Sequence, residues 1–524
     1  MHVTEPLLQS AENGLEDGRS ILDDSSTCTS QHHTTPSALT DPAPPILYGP
    51  ATFHLHHQKS NDKNPLGIRL RKTHRPSRIR RSRIEALQLV VFGLISTAVS
   101  WALLALVTAI AIFHTWRRQQ QQQQQSQMQS EPEEDETCPH EIITQDEAYY
   151  VKRWGYQCES YEVVTPDGYI IHMHRVSKKG MDDSRHQADG SPLPPVLLGH
   201  GLFQCSGDFV LNEENSLAFA LVEQGYDVWM GNTRATSTLD HVSLSHKDPE
   251  YWAWGLKELS LHDLVCALDF VGKQTGFNKV AYIGHSQGNA QAFIALKLRP
   301  EVAAKFSCFI ALAPAVFSGT LVSKFPLKQL IGMNQRMYRL IFGTSGFLPI
   351  MSIAQKLCNP AIFSQLAYSM FSYLFAWWDT HWLSRRKVKY FQFTPRPVSA
   401  QLIADWLEGW GKQGVCKYVT EPMCFSTDND EAAASKTRNK IPFAAFYGTE
   451  DFLVDGDCFI ATFDDEDQCI MDGCRTSHLF PMLNLVHVGR IPGYEHMDTI
   501  WAHDNHVTTY PGIFKVLSLA NWQD

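Results

Sequence analysis

A chain of 524 residues, 44% apolar and with 13 Trp, 32 Gly and 27 Pro, has the make-up of a globular protein, which excludes a fibrous or wholly disordered one. Its 12 Cys are too sparse for a disulfide scaffold and form no C-x-x-C pair, so structural zinc is not indicated. A balance of 45 basic against 55 acidic residues, net −10, points away from nucleic-acid binding by the chain as a whole.

Residues 1–65 mix Ser, Thr, Pro, His, Asp and Gln with few periodic apolar runs. Such a segment cannot bury enough surface to offset chain entropy, and a disordered tail is expected. His54, His56 and His57 stand in it with no Cys or carboxylate partner nearby, and no metal is assigned to them. From Arg69 to Arg83 come eight Lys or Arg and no acid, and this block closes the tail at residue 84. Alone it would read as a nuclear-localisation or nucleic-acid patch, but its neighbour decides otherwise.

Ala86 to Phe113 is a 28-residue stretch without a charge. As a helix it would extend about 42 Å at 1.5 Å per residue, enough to cross a hydrocarbon core of about 30 Å with some tilt. One transmembrane helix is expected over 85–115, with Trp116, Arg117 and Arg118 as an interfacial anchor. The stretch begins too far into the chain for a cleaved signal peptide. The basic block before it outweighs the two Arg after it, so the positive-inside rule puts the C-terminal body on the non-cytosolic side. No Asn stands in an N-x-S/T acceptor, which pulls the other way, and a hairpin insertion or a cytosol-facing body stays open. Residues 116–137, a Gln run followed by Glu131, Glu133, Glu134, Asp135 and Glu136, read as a solvated tether.

Residues 138–524 then form one folded body. Short apolar runs at Val196–Leu198, Val228–Met230, Val280–Ile283, Cys308–Leu312 and Phe443–Tyr447 recur between stretches of helical periodicity, as buried parallel strands do. A doubly wound α/β sheet is expected, with its site beyond the carboxyl ends of the strands.

The run from Val280 leads into Gly284-His285-Ser286-Gln287-Gly288 and then the helix-like Ala290–Leu298. A serine hydroxyl is a weak nucleophile, and G-x-S-x-G between strand and helix projects it from a sharp turn, which makes Ser286 the candidate nucleophile. The backbone N–H of Gln287 would be one oxyanion donor. The strand ending in His200-Gly201-Leu202 offers the second, the N–H of Leu202. An α/β-hydrolase orders its triad serine, acid, histidine along the chain. After the run Ile441–Tyr447 come Glu450, Asp451 and Asp455; Asp451 is the choice with the other two as competitors, and Asp464–Asp467 reads as a solvated loop. Among the late histidines His478, His487, His496, His503 and His506, His496 is favoured, since it sits in a loop after the strand-like Leu483–Val488 and can reach serine and carboxylate together. His172 and His174 share a strand face without a third ligand and are read as structural.

Taken together, these motifs resemble the acid lipase family of α/β-hydrolases: gastric and lysosomal acid lipases, and more closely the membrane-anchored fungal steryl ester hydrolases. The resemblance runs through Tyr161–Ile171, His200-Gly201-Leu202, Asn215–Arg234, Gly284–Gly288, Gly448-x-x-Asp451 and Tyr494-x-His496-x-Asp498. It implies an α/β-hydrolase fold, a triad of Ser286, Asp451 and His496, an oxyanion hole of Leu202 and Gln287, and no cofactor or metal. After Arg234 the family usually has a glycine-containing turn, whereas this chain reads Ala-Thr-Ser, and the stretch at Asp464–Asp467 looks like an insertion.

The aromatic-rich span 318–439 is expected to be a helical cap sheltering a long apolar group, as the resemblance also implies. Within it Phe371–Trp382 is open to two readings, internal packing or bilayer contact. The expected activity is membrane-anchored hydrolysis of neutral lipid esters, steryl esters first, with a triacylglycerol lipase or a catalytically silent lipid-binding protein as alternatives. The expected partners are a neutral lipid and, through one helix, the membrane.

Overall fold

The computed structural model describes residues 82–125, 141–180, 190–420, 440–463, 470–471, 474–475 and 479–522. The tail through residue 81 with His54, His56 and His57, the acids at 131–136, the end of the cap span, Asp464–Asp467 and His478 lie outside them.

Strands β1 (Tyr156–Val164), β2 (Ile170–Lys178), β3 (Pro195–Gly199), β4 (Asp227–Gly231), β5 (Val280–His285), β6 (Phe306–Leu312), β7 (Ile441–Gly448) and β8 (Leu483–Ile491) form one eight-stranded sheet. Its spatial order is β1-β2-β4-β3-β5-β6-β7-β8. The first two strands make an antiparallel hairpin that joins β4 antiparallel, and the other pairings are parallel. The apolar runs seen in the sequence are these strands, and β5 and β6 are buried at every position. Being covered on both faces is what makes a parallel strand read as a continuous apolar run. From β3 the chain passes to β4 on one side and later to β5 on the other, so the switch point lies between β3 and β5. A crevice opens beyond strand ends at such a point.

The turn after β4 shows how this chain manages without the family's glycine. Ala235 takes a left-handed φ of 62°, which glycine adopts freely and alanine adopts at a cost. The fully buried Arg234 beside it donates to Asp263 and Asp167 at 2.6 Å each, and its guanidinium lies over the Tyr169 ring. The two carboxylates and the ring fix the turn.

Helix α1 (Arg83–Gln125) carries the apolar stretch and continues into the Gln run. At 1.5 Å per residue its 43 residues extend about 64 Å. In the body, α2 (Val265–Thr275) stops at Gly276, and α3 (Gln287–Leu298) follows β5 directly. Between β6 and β7 come α4 (Gln335–Phe342), α5 (Ile350–Leu357), α6 (Pro360–Phe375), α7 (Lys387–Phe393) and α8 (Ala400–Gln413). Caps set two of their starts: Asn359 accepts from the Ala361 N–H, and Ser399 from the Leu402 N–H. Side chains from this span and Ser286 line one cavity. Within Phe371–Trp382, residues Phe371, Trp377, Trp378 and Trp382 are buried, so these aromatics pack internally.

Glu213, in the connection between β3 and β4, ties the span to the body. Its carboxylate, 2% exposed, accepts from Arg385, Arg386 and Lys389 at 2.8 to 3.2 Å.

Candidate active site

Ser286 sits between β5 and α3 at φ 51° and ψ −114°, a strained conformation for a residue with a side chain. Two approaches make the turn possible. A Cβ on Gly288 would lie 2.5 Å from the carbonyl oxygen of Gly199, so the elbow packs backbone to backbone against the end of β3. A Cβ on Gly201 would lie 3.0 Å from the Cβ of Ser286, which brings the loop after β3 onto the serine.

The structure brings the three triad candidates together. His496 Nε2 is 2.8 Å from Ser286 Oγ, and His496 Nδ1 is 2.8 Å from Asp451 Oδ2. The side chains of His496 and Asp451 are each 2% exposed, so water does not compete for these bonds. Asp451 leaves the end of β7, and its Oδ1 accepts from the Leu453 and Val454 N–H groups at 3.0 and 3.1 Å. Those two bonds aim Oδ2 at the imidazole. Glu450 is exposed, and Asp455 is spent capping Gly456–Ala461 through the Cys458 N–H. The remaining described histidines stand elsewhere: His487 on β8 against Phe446, His503 on the His381 carbonyl, His506 exposed.

Leu202 lies in the loop after β3 and lines the cavity beside Ser286. Gln287 is the first residue of α3, so its N–H has no acceptor within the helix and lies at the positive end of the dipole. Leu202 thus follows the end of β3 and Gln287 the nucleophile itself at the end of β5. His200 plays no part in the charge chemistry. The Thr233 N–H donates to its Nε2 at 3.2 Å, which leaves Nδ1–H to donate to the Gly201 carbonyl at 2.9 Å. Burial lowers its pKa to about 4, so it is neutral. His172 bonds Thr238, and His174 reaches Ser160 and Glu147, as structural groups do.

Several supporting residues have roles that the sequence motifs do not assign. Gln204 Oε1 accepts from the Gly201 N–H and lies 2.7 Å from His285 Nδ1, while His285 Nε2 lies 3.2 Å from the His496 carbonyl. This chain links the loop after β3, the elbow and the histidine loop. Burial, then the nearby His496, pushes the His285 pKa well down, and a neutral ring has one N–H to donate to one of these two oxygens. Trp377 stacks parallel to His496 with centroids 6.1 Å apart, and Trp406 Nε1 donates to the Gln287 side chain at 2.9 Å. Glu495 and Asp498 flank the histidine and fasten it to the cap. The Trp378 N–H donates to Glu495, and Trp382 Nε1 to Asp498 at 2.8 Å. Burial, then the facing Asp498 charge, pushes the Glu495 carboxyl up to about 10.

The cavity above the serine has a volume of about 410 Å³ and an almost wholly apolar lining. Such a site can hold a hydrocarbon against a serine whose proton an adjacent imidazole can take.

Residues 148–213 match the family described as the partial alpha/beta-hydrolase lipase region. Human lipase member K is 31% identical over 376 residues, covering 68% of this chain and 86% of its own length. The chain belongs to the acid lipase family of α/β-hydrolases. It is a carboxylic ester hydrolase. Sterol esterase 2 of Saccharomyces cerevisiae is 30% identical over 389 residues, covering 69% of this chain and 70% of that one. Human gastric triacylglycerol lipase is 28% identical over 396 residues, covering 72% and 92%. Among solved structures, a naproxen esterase of Bacillus subtilis is matched at a TM-score of 0.36 and 14% identity, over 70% of this chain and 94% of that one. The acid-lipase elbow reads Gly284-His-Ser-Gln-Gly288 in this chain; a Cβ on Gly288 would strike the Gly199 carbonyl, and one on Gly284 would lie 2.4 Å from Asn289 Oδ1. Among the described residues one helix, with a candidate span over Val90–Gln121, is long and apolar enough to cross a membrane.

Proposed function

We propose that this acid-lipase relative is a membrane-anchored serine hydrolase of neutral lipid esters, with steryl esters its main substrates. The observation that carries the reading is a hydrogen-bonded Ser286–His496–Asp451 chain facing an apolar cavity. In the proposed mechanism Ser286 Oγ attacks the ester carbonyl while His496 Nε2 takes its proton. Asp451 accepts from Nδ1–H and holds that tautomer. The Leu202 and Gln287 N–H groups stabilise the tetrahedral oxyanion. As it collapses, His496 returns the proton to the leaving sterol oxygen, and the acyl group stays on Ser286. Water then attacks the acyl-enzyme with His496 again as base, releasing fatty acid and restoring the serine.

Steryl esters are favoured by the relatedness to a yeast protein named a sterol esterase and by the pairing of an apolar cavity with an apolar helix. Similarity to gastric triacylglycerol lipase carries the second reading, glyceride hydrolysis by the same residues. The proposed layout is a tail over 1–84, a membrane helix over 85–115, a linker over 116–137 and a hydrolase over 138–524 capped by 318–439. The basic flank before the helix supports a non-cytosolic body.

Cholesteryl, ergosteryl and triacylglycerol esters offered to the purified full chain, with Ser286→Ala beside it, test the reading. Turnover should be highest on the steryl esters and vanish in the variant. Preference for glycerides would overturn the substrate, and turnover by the variant the mechanism. Protease added outside sealed vesicles should spare the body if it faces the lumen; digestion would reverse the orientation.

A further inference from the structure

Helix α1 is built into the body along one stripe. Ser96, Val107, Ala111 and Thr115 are buried, while Leu94, Ile95, Leu106, Ile112 and Phe113 on the remaining surface are exposed. The buried positions recur at helical spacing, and most are small or hydroxylated, which lets neighbouring helices approach closely. Their hydroxyls are used. Ser96 donates to the Ile341 carbonyl at 2.9 Å, Ser100 donates to the same oxygen, and Thr115 lies 3.4 Å from Ser372 Oγ. At the far end Arg118 lies over the Trp378 ring, 3.5 Å from its centroid, and Trp378 donates its N–H to Glu495 next to His496. The hydrolase therefore does not hang free below its membrane helix: α1 packs on α4 and α6 of the cap.

Along the same face, the side chains of Ser100, Leu103, Leu104, Val107 and Thr108 line the cavity that also contains Ser286 and His496. A helix that faces hydrocarbon on one side thus closes the reaction chamber with the other. The cap continues that apolar exterior, exposing Met337 on α4, Ile353 and Leu357 on α5 and Ile362 on α6. An ester dissolved among lipid chains then has a route to the serine that avoids the cost of exposing its long apolar part to water.

We propose that α1 is a wall of the ester-binding cavity as well as a membrane anchor, with Leu103, Leu104 and Val107 touching the hydrocarbon of the bound ester. The proposal rests on Ser286 being the nucleophile, and its test separates the two. The full chain in lipid nanodiscs is treated with a cholesteryl p-nitrophenyl alkylphosphonate. Ser286 Oγ attacks phosphorus and expels p-nitrophenolate, leaving both hydrocarbon arms on the enzyme. A diazirine is placed on the alkyl arm in one probe and on the sterol in another. After irradiation, at least one probe should be cross-linked to the peptide carrying residues 100–108. Labelling of Ser286 with cross-links confined to the cap and sheet would overturn the α1 wall and leave the nucleophile standing. No labelling of Ser286 would overturn both.

Substitution gives an independent reading. Leu104→Trp narrows the cavity and should lower the ratio of long-chain to butyryl ester turnover by about tenfold, as overpacking of a filled site does. Leu104→Ala should shift the optimum toward bulkier esters. Leu106→Trp, on the exposed side, should leave the ratio within about twofold of the parent. Equal ratios in the parent and both Leu104 variants would contradict the proposal.

Discussion

Replacing Glu213 by Gln should loosen the cap from the β3–β4 connection, at a cost that the ion cluster sets. Glu213 accepts from Arg385, Arg386 and Lys389, and the side chains of Arg386 and Lys389 are 2% and 1% exposed. Burial alone would raise its pKa, but the Arg385 hydrogen bonds and the Lys389 and Arg386 charges hold it down at about 2. The neutral amide leaves Arg386 buried without its carboxylate, while Lys389 keeps Glu141 at 3.1 Å. Removing one partner of a buried pair costs about 3–5 kcal/mol, and the amide oxygen still accepts, so about 3 kcal/mol is expected. A body of roughly 380 residues loses about 0.8 kcal/mol per degree on melting, so Tm should fall by about 4 °C near neutral pH. Because the folded pKa is depressed, this stabilisation is present above the unfolded value of about 4.3 and is lost as pH falls toward 2. The melting curves of parent and variant should therefore converge in acid. Glu213→Gln/Arg386→Met should recover part of the loss, since the uncompensated guanidinium is gone. A Tm for Glu213→Gln within about 1 °C of the parent at neutral pH would refute the reasoning.

Asp451→Asn keeps an oxygen for the Leu453 and Val454 N–H groups but offers an N–H to His496 Nδ1, which favours the tautomer with its proton on Nε2. Hydrolysis of a soluble ester should fall about 10⁴-fold with circular dichroism unchanged, and a loss below about tenfold would count against the triad. Glu495→Gln should flatten the dependence of Tm on pH. A buried acid with a raised pKa keeps a proton in the fold that the unfolded chain has released, so it withdraws stability as pH climbs from about 4 toward its folded value. Parallel Tm–pH curves for parent and variant would remove the protonated Glu495 from the account.

The parts of this molecule that were legible in its sequence are those encoded locally. Buried parallel strands appear as continuous apolar runs, and the elbow places strand, glycines, serine and helix within a few residues, so β5, Ser286 and α3 could be read directly. The acid was less determined, because Glu450, Asp451 and Asp455 all follow the same strand. What separates them is two backbone N–H groups on Asp451, a feature of the turn rather than of residue type. Contacts between distant segments left no mark. Gln204 to His285, Trp406 to Gln287, Trp377 to His496 and Glu213 to its three cations each join segments that spacing cannot bring together. Helix α1 lies between these cases. Its hydropathy was plain, but averaging over the stretch hid the small and hydroxylated stripe at Ser96, Ser100, Thr108, Ala111 and Thr115, and with it the packing against the cap.

The central claim is a covalent acyl intermediate on Ser286, and acid-quenched intact-mass analysis during turnover of a slow ester tests it most directly. The account expects one acyl group per chain on the peptide carrying Gly284–Gly288, with no adduct and no turnover in Ser286→Ala. An adduct on another residue, or continued turnover by Ser286→Ala, would contradict it.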